Sequence, residues 1–136
     1  MISPWENNVH LTSPDGKSWA TMAAADEVGM GAPTAGELVL SNGMKLSGCN
    51  PSLVWSDDAA YLAVPQWTRQ RQQRLMVISL AERQLGYAPS TYRVLQLESF
   101  VGGLIGGIDS PVYQPRQLTV SLDEIEWELF SAFQTL

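Results

Sequence analysis

A serine stands ahead of a tight turn at Ser13, Ser56 and Ser99, in two steps of 43 residues. Six places after each serine comes an apolar residue (Trp19, Leu62, Ile105), and seven places after it a small one (Ala20, Ala63, Gly106). A period of this length corresponds to one supersecondary unit, the size of a small antiparallel sheet that cannot bury its apolar face alone. Three such units within 136 residues make one domain, long enough to bury roughly two thirds of its unfolded surface.

The first unit covers residues 9–48. Val9-His10-Leu11-Thr12 alternates as a half-buried strand does, Pro14-Asp15-Gly16 closes a turn, and Trp19-Ala20-Thr21-Met22 returns. Residues 23–36 are small, glycine-containing and partly acidic through Asp26 and Glu27, which predicts a long exposed loop. Glu37–Leu40 and Met44–Leu46 flank the turn signal Ser41-Asn42-Gly43. The second unit, 51–88, repeats the order: strand Leu53–Trp55, turn Asp57-Asp58-Ala59, strand Tyr61–Val64 and a loop 65–74 carrying Trp67, Arg69 and Arg71. Leu75–Ile78 follows, apolar at every position, which predicts protein on both of its faces. In the third unit, 93–127, a glycine-rich stretch at 101–108 replaces the polar turn after Val94–Leu97, and Leu118–Leu122 follows the loop 108–117. The end supports two readings. Ser121-Leu122-Asp123-Glu124 forms a capping box for a helix faced by Ile125, Leu129 and Phe133. The period instead predicts a turn at Asp123-Glu124 and a strand to about Leu129, which is the preferred expectation.

Trp55-Ser56-Asp57-Asp58, with Leu62-Ala63-Val64 and Leu75-Met76-Val77-Ile78-Ser79-Leu80, resembles a blade of the TolB-like or WD-repeat β-propellers. Ser13-Pro14-Asp15-Gly16-Lys17 resembles that family's turn more closely still, and the resemblance covers most of residues 9–125. It implies an all-β, propeller-like domain that serves scaffolding or binding, with no catalytic residues to carry across. Closed propellers usually have at least four blades, so three units imply an open or incomplete propeller, one completed by a second chain, or three hairpins packed differently.

The formal net charge is −6, from 14 acidic and 8 basic residues, which disfavours general nucleic-acid binding. Residues 69–93 form a basic middle with Arg69, Arg71, Arg74, Arg83 and Arg93, between acidic ends. The single cysteine, Cys49, excludes an intramolecular disulfide and a zinc site of several thiolates. The apolar runs are shorter than a spanning helix, and the first residues lack a basic region followed by an apolar stretch, so a cytoplasmic protein is expected. His10 is the only histidine and has no triad partner written beside it. Asp57-Asp58 reads as a pair of turn formers, and the glycines of 101–107 lack the Gly-Lys-Ser/Thr ending of a phosphate loop. Neither a cofactor nor a metal is expected.

Loops 23–36, 65–74 and 108–117 occupy the same place in successive units and should emerge on one edge, where binding usually resides. The expected partner-binding residues are Asp26, Glu27, Trp67, Arg69, Arg71, Tyr113, Asp123 and Glu124. The expected function is non-catalytic protein binding, most concretely as an immunity or inhibitor protein that occludes a bacterial toxin. A nuclease toxin would be basic and could dock on the acidic residues. The alternatives are a propeller-type scaffold or ligand-binding fragment completed by homo-oligomerisation, and a hydrolase using Asp57, Asp58 or Asp109.

Overall fold

The turns at Ser13 and Ser56 are built from the same bonds in the computed structural model, which describes residues 1–23 and 25–129. Ser13 Oγ donates to Asp15 Oδ1 (2.6 Å) and accepts from Ser18 N (3.1 Å), while Asp15 Oδ1 also accepts from Lys17 N (3.0 Å). Ser56 Oγ donates to Asp58 Oδ1 (2.6 Å) and accepts from Tyr61 N (2.9 Å), and Asp58 Oδ1 accepts from Ala60 N (3.0 Å). The serine hydroxyls first, and then the backbone N–H groups, hold both carboxyls below the usual range. A carboxylate depressed in this way stabilises the fold above its unfolded pKa, and the contribution is lost as pH falls through the folded value. Ser56→Ala should therefore raise the Asp58 pKa towards the ordinary value. An NMR titration of the side-chain carboxyl that shows no movement would contradict this account of the turn. At Ser99 the chain does something else: Gly102 and Gly103, with φ of 60° and 76°, make a two-residue hairpin between the paired residues Val101 and Leu104.

Thirteen strands follow in the described residues: β1 (Val9–Thr12), β2 (Trp19–Met22), β3 (Asp26–Glu27), β4 (Thr34–Leu40), β5 (Lys45–Cys49), β6 (Val54–Trp55) and β7 (Tyr61–Trp67), then β8 (Gln73–Ser79), β9 (Gln84–Tyr92), β10 (Leu95–Val101), β11 (Leu104–Asp109), β12 (Arg116–Ser121) and β13 (Glu126–Leu129). The fold is all-β and its pairings are antiparallel. One sheet runs β1-β2-β4-β5-β7-β8-β9-β13, with β3 on β4 and β6 on β7, and β10-β11-β12 form a second. The halves of the long sheet meet at the single partner pair Cys49 and Gln66. Neither sheet closes into a barrel among the described residues.

Side chains that alternate across a strand point to opposite faces, and the middle strands use both. Leu62, Val64, Met76 and Ile78 join a core with β1, β2, β4 and β5 residues such as Ala20, Met22, Leu38 and Leu46. Ala63, Leu75 and Val77 join another with Leu95, Leu97, Phe100, Ile105 and Val120 of the three-stranded sheet. Leu75, Met76, Val77 and Ile78 are all fully buried, as the run of apolar residues on both faces predicts. The layers are also bolted by polar groups. Trp55 Nε1 donates to Leu11 O (3.0 Å), and the β10 edge is satisfied by Leu97 N donating to Ser52 Oγ (3.0 Å) and Leu95 N to Gln73 Oε1 (2.5 Å).

Two expectations are corrected and one is met. The loops are shorter than the composition suggests: residues 23–33 are interrupted by β3, and the others shrink to 68–72 and 110–115. The ending follows the preferred reading, a turn at Asp123-Glu124 and a strand to Leu129; the Ser121–Glu124 capping box also forms, on the three-residue 3-10 turn (Leu122–Glu124) that leads into β13. Phe133 lies outside the described residues. Finally, β13 does not continue the three-stranded sheet beside β12 but pairs with β9, Trp127 standing opposite Gly86.

Cys49 is fully buried, and burial pushes its thiol pKa well up. Its Sγ faces the carbonyls of Leu46 (3.6 Å) and Ser47 (3.7 Å). The native protein should be inert to a thiol reagent such as Ellman's at pH 8 and should react with one equivalent once unfolded. Fast native labelling would show that the β5 and β7 junction opens.

Candidate partner-binding edge

In an antiparallel meander alternate connections fall at opposite ends of the sheet, so 23–33, 68–72, 110–115 and the Arg93-Val94 link are carried to one side. Each is held by its own bonds. Glu27 Oε2 accepts from Gly31 N (3.1 Å), and Trp5 Nε1 donates to Gly31 O (3.0 Å). The 68–72 turn closes with Thr68 N donating to Gln72 O (2.7 Å) and Gln72 N to Thr68 Oγ1 (3.3 Å). Asp109 Oδ1 accepts from Arg93 N (3.1 Å) and Val94 N (3.2 Å), and Ser110 N donates to Val94 O (2.8 Å), which ties the link to the third loop.

Described residues line four adjoining depressions along this edge. The first, about 320 Å³, lies between Trp67, Arg69 and Arg74. The next, about 520 Å³, shares Trp67 and brings the first loop (Val28, Pro33) against the second (Arg71) and against Arg93. Arg93 also borders a 90 Å³ apolar notch with Trp5, Pro111 and Tyr113. It borders a 200 Å³ polar notch with Asp109, Tyr113 and Arg116 as well. The three loops are thus side by side, as the period predicts. Arg71 holds a left-handed backbone (φ 58°), as do Ser110 (φ 57°) and Gln114 (φ 54°) in the third loop. That region is costly for residues other than glycine. The Arg71 guanidinium lies against the first loop, a Cβ at Gly29 being only 3.6 Å from its Nη1.

Of the residues expected to bind, Arg69, Arg71 and Tyr113 are exposed and border these depressions. Asp26 and Glu27 are exposed on β3, and the Glu27 carboxylate is engaged by its own loop. Trp67 is a correction. It ends β7 instead of standing in a loop, is only 6% exposed and donates from Nε1 to Thr34 O (3.0 Å). It forms a wall and cannot swing out to stack on a ligand. Asp123 and Glu124 are separated from the third loop by the length of β12, on the order of 17 Å at ~3.3 Å per residue. Glu124 Oε2 caps Ser121 N (2.7 Å). Glu124 and Asp109 carboxylates add to the burial that raises the Tyr92 phenol.

Arg74 is a partly buried anchor: its Nη2 and Nε donate to Gln66 Oε1 (2.8 and 3.1 Å), and the guanidinium carbon lies 3.6 Å from the Tyr87 ring centroid. Sequence reasoning does not single out Arg93 and Arg116 as site residues, although Arg93 belongs to the basic middle and Arg116, the first residue of β12, directly follows the third loop.

The carboxylates named for hydrolysis do not converge. Asp57 meets the far hairpin, its Oδ1 accepting from Gly102 N (3.4 Å), while Asp109 stands at the opposite end of β11. His10 Nδ1 pairs with Thr21 Oγ1 (2.7 Å) on the outer face of β1 and β2. Among the described residues no group of three or more His, Cys, Asp or Glu side chains could hold a metal ion. No described helix is long and apolar enough to cross a membrane. No family model, curated protein or solved structure matches this chain.

Proposed function

We propose that this chain is a non-catalytic protein-binding domain of the immunity or inhibitor kind, acting in the cytoplasm by covering the working surface of a bacterial toxin. In this reading β1-β2-β4-β5, β6-β7-β8-β9 and β10-β11-β12 are three blades of an open, propeller-like stack. The observation that carries the reading is the row of depressions where three loops from successive layers meet beside rigid strands. Support also comes from the separation of Asp57 from Asp109, which leaves those carboxylates without a common cleft. Tagged protein used to capture partners from a lysate of the native host should retain one protein in stoichiometric amount. Retention of nothing but the chain itself counts against the proposal.

A second reading, a scaffold completed by self-association, is favoured by one feature. The cross-strand pair Val101 and Leu104 is 59% and 50% exposed on the outermost sheet. Light scattering of the purified protein decides this: a defined closed oligomer supports the scaffold, and a monomer excludes it.

A further inference from the structure

We infer that the loop edge takes an acidic peptide segment of its partner, an inference that rests on the protein-binding reading above. The chain carries a net charge of −6, yet Arg69, Arg71, Arg74, Arg93 and Arg116 all border the four depressions, five of the eight basic residues. Among the described residues only one carboxylate, Asp109, borders them with these arginines, and its Oδ1 is already engaged by Arg93 N and Val94 N. Arg93 stands at the centre, shared by three of the four. Guanidinium forks bind carboxylates through paired hydrogen bonds, and aromatic walls beside them lower the local dielectric and strengthen the attraction. Trp5, Trp67 and Tyr113 supply those walls.

The edge is therefore opposite in sign to the chain as a whole, and a basic toxin surface does not fit it. A nucleic-acid backbone fits it less well than a peptide does. The exposed carboxylates of Asp26 and Glu27 flank the first loop, and a long polyanion would have to lie across them. A short acidic segment can reach Arg71, Arg93 and Arg116 without doing so.

The test is fluorescence anisotropy at low salt with three labelled probes. They are a peptide of Glu and Asp around a central Tyr, the same peptide with Gln and Asn, and an oligothymidylate. The acidic peptide alone should bind saturably. Arg71→Glu with Arg93→Glu should weaken it by about tenfold or more, and Arg71→Gln with Arg93→Gln should weaken it less. Lys17→Glu with Lys45→Glu, which changes the net charge equally on exposed positions elsewhere, should leave it unchanged. Thermal melts of each variant establish that it is folded. Absence of saturable binding, equal weakening by the lysine pair, or oligothymidylate binding as tightly would overturn the inference. If the peptide fails while a lysate partner is still captured, the acidic-segment assignment falls and the protein-binding reading stands. Peptide binding without any captured partner has the reverse meaning.

Discussion

Truncation of either Leu75 or Met76 to alanine is expected to cost about 2–5 kcal/mol of folding stability. The two are neighbours on β8 but belong to different cores: Met76 packs with residues of β1, β2, β4 and β5, and Leu75 with the three-stranded sheet. Each is fully buried, so truncation removes apolar contact and leaves a cavity that the surrounding strands can only partly collapse into. Val101, 59% exposed on the outer sheet, is the internal comparison, and its change to threonine should stay within roughly 0.5 kcal/mol. Urea denaturation reads all three. A loss under about 1 kcal/mol at one of the β8 positions would mean that one face of the middle strands is open to water.

Gly86→Ala is expected to release β13 from the edge of the long sheet. A Cβ at Gly86 would stand 2.5 Å from Ile125 Cγ2 and 2.7 Å from Glu126 O. The second of these is backbone, so the strand must shift as a whole. Ile125 is buried in the second core, and Trp127 packs on Tyr61 with ring centroids 5.7 Å apart, so the shift disrupts both. Overpacking of this kind costs about 1–3 kcal/mol. The clearest signature is local: amide hydrogens of residues 126–129 should exchange far faster in the variant, while those of β7 and β8 change less. Unchanged protection at 126–129 would show that β13 accommodates the methyl group and that the pairing is looser than it looks.

Much of the layering was legible because strand faces are written into the sequence at period two. Val9–Thr12 and Trp19–Met22 fall on their predicted bounds, and Leu75–Ile78 announces cover on both sides. The two Ser-x-Asp turns were legible because side-chain capping needs particular residues at fixed offsets. Partner choice was not. Nothing in Glu126–Leu129 states which strand it joins; the signal sits in Gly86, the residue that makes room for it.

Trp67 was misplaced because Pro65 looks like the end of a strand. The β7 strand instead continues through it. Pro65 O accepts from Asn50 N (2.8 Å), so its nitrogen faces the side where β6 has ended and β5 touches only at Gln66. The missing N–H therefore falls where the ladder is already interrupted. Arg93 and Arg116 escaped notice for a related reason. They gain meaning only when layers distant in sequence set them around common depressions.

In the proposed function this loop edge is the surface through which the chain binds another protein. Its most direct test is quantitative capture from host lysate with three proteins: the unaltered chain, the Arg71→Glu/Arg93→Glu variant and the Lys17→Glu/Lys45→Glu variant. A single stoichiometric partner should be retained by the first and third and lost from the second. A partner held equally by all three, or lost only with the lysine pair, would place the binding surface elsewhere and contradict the claim.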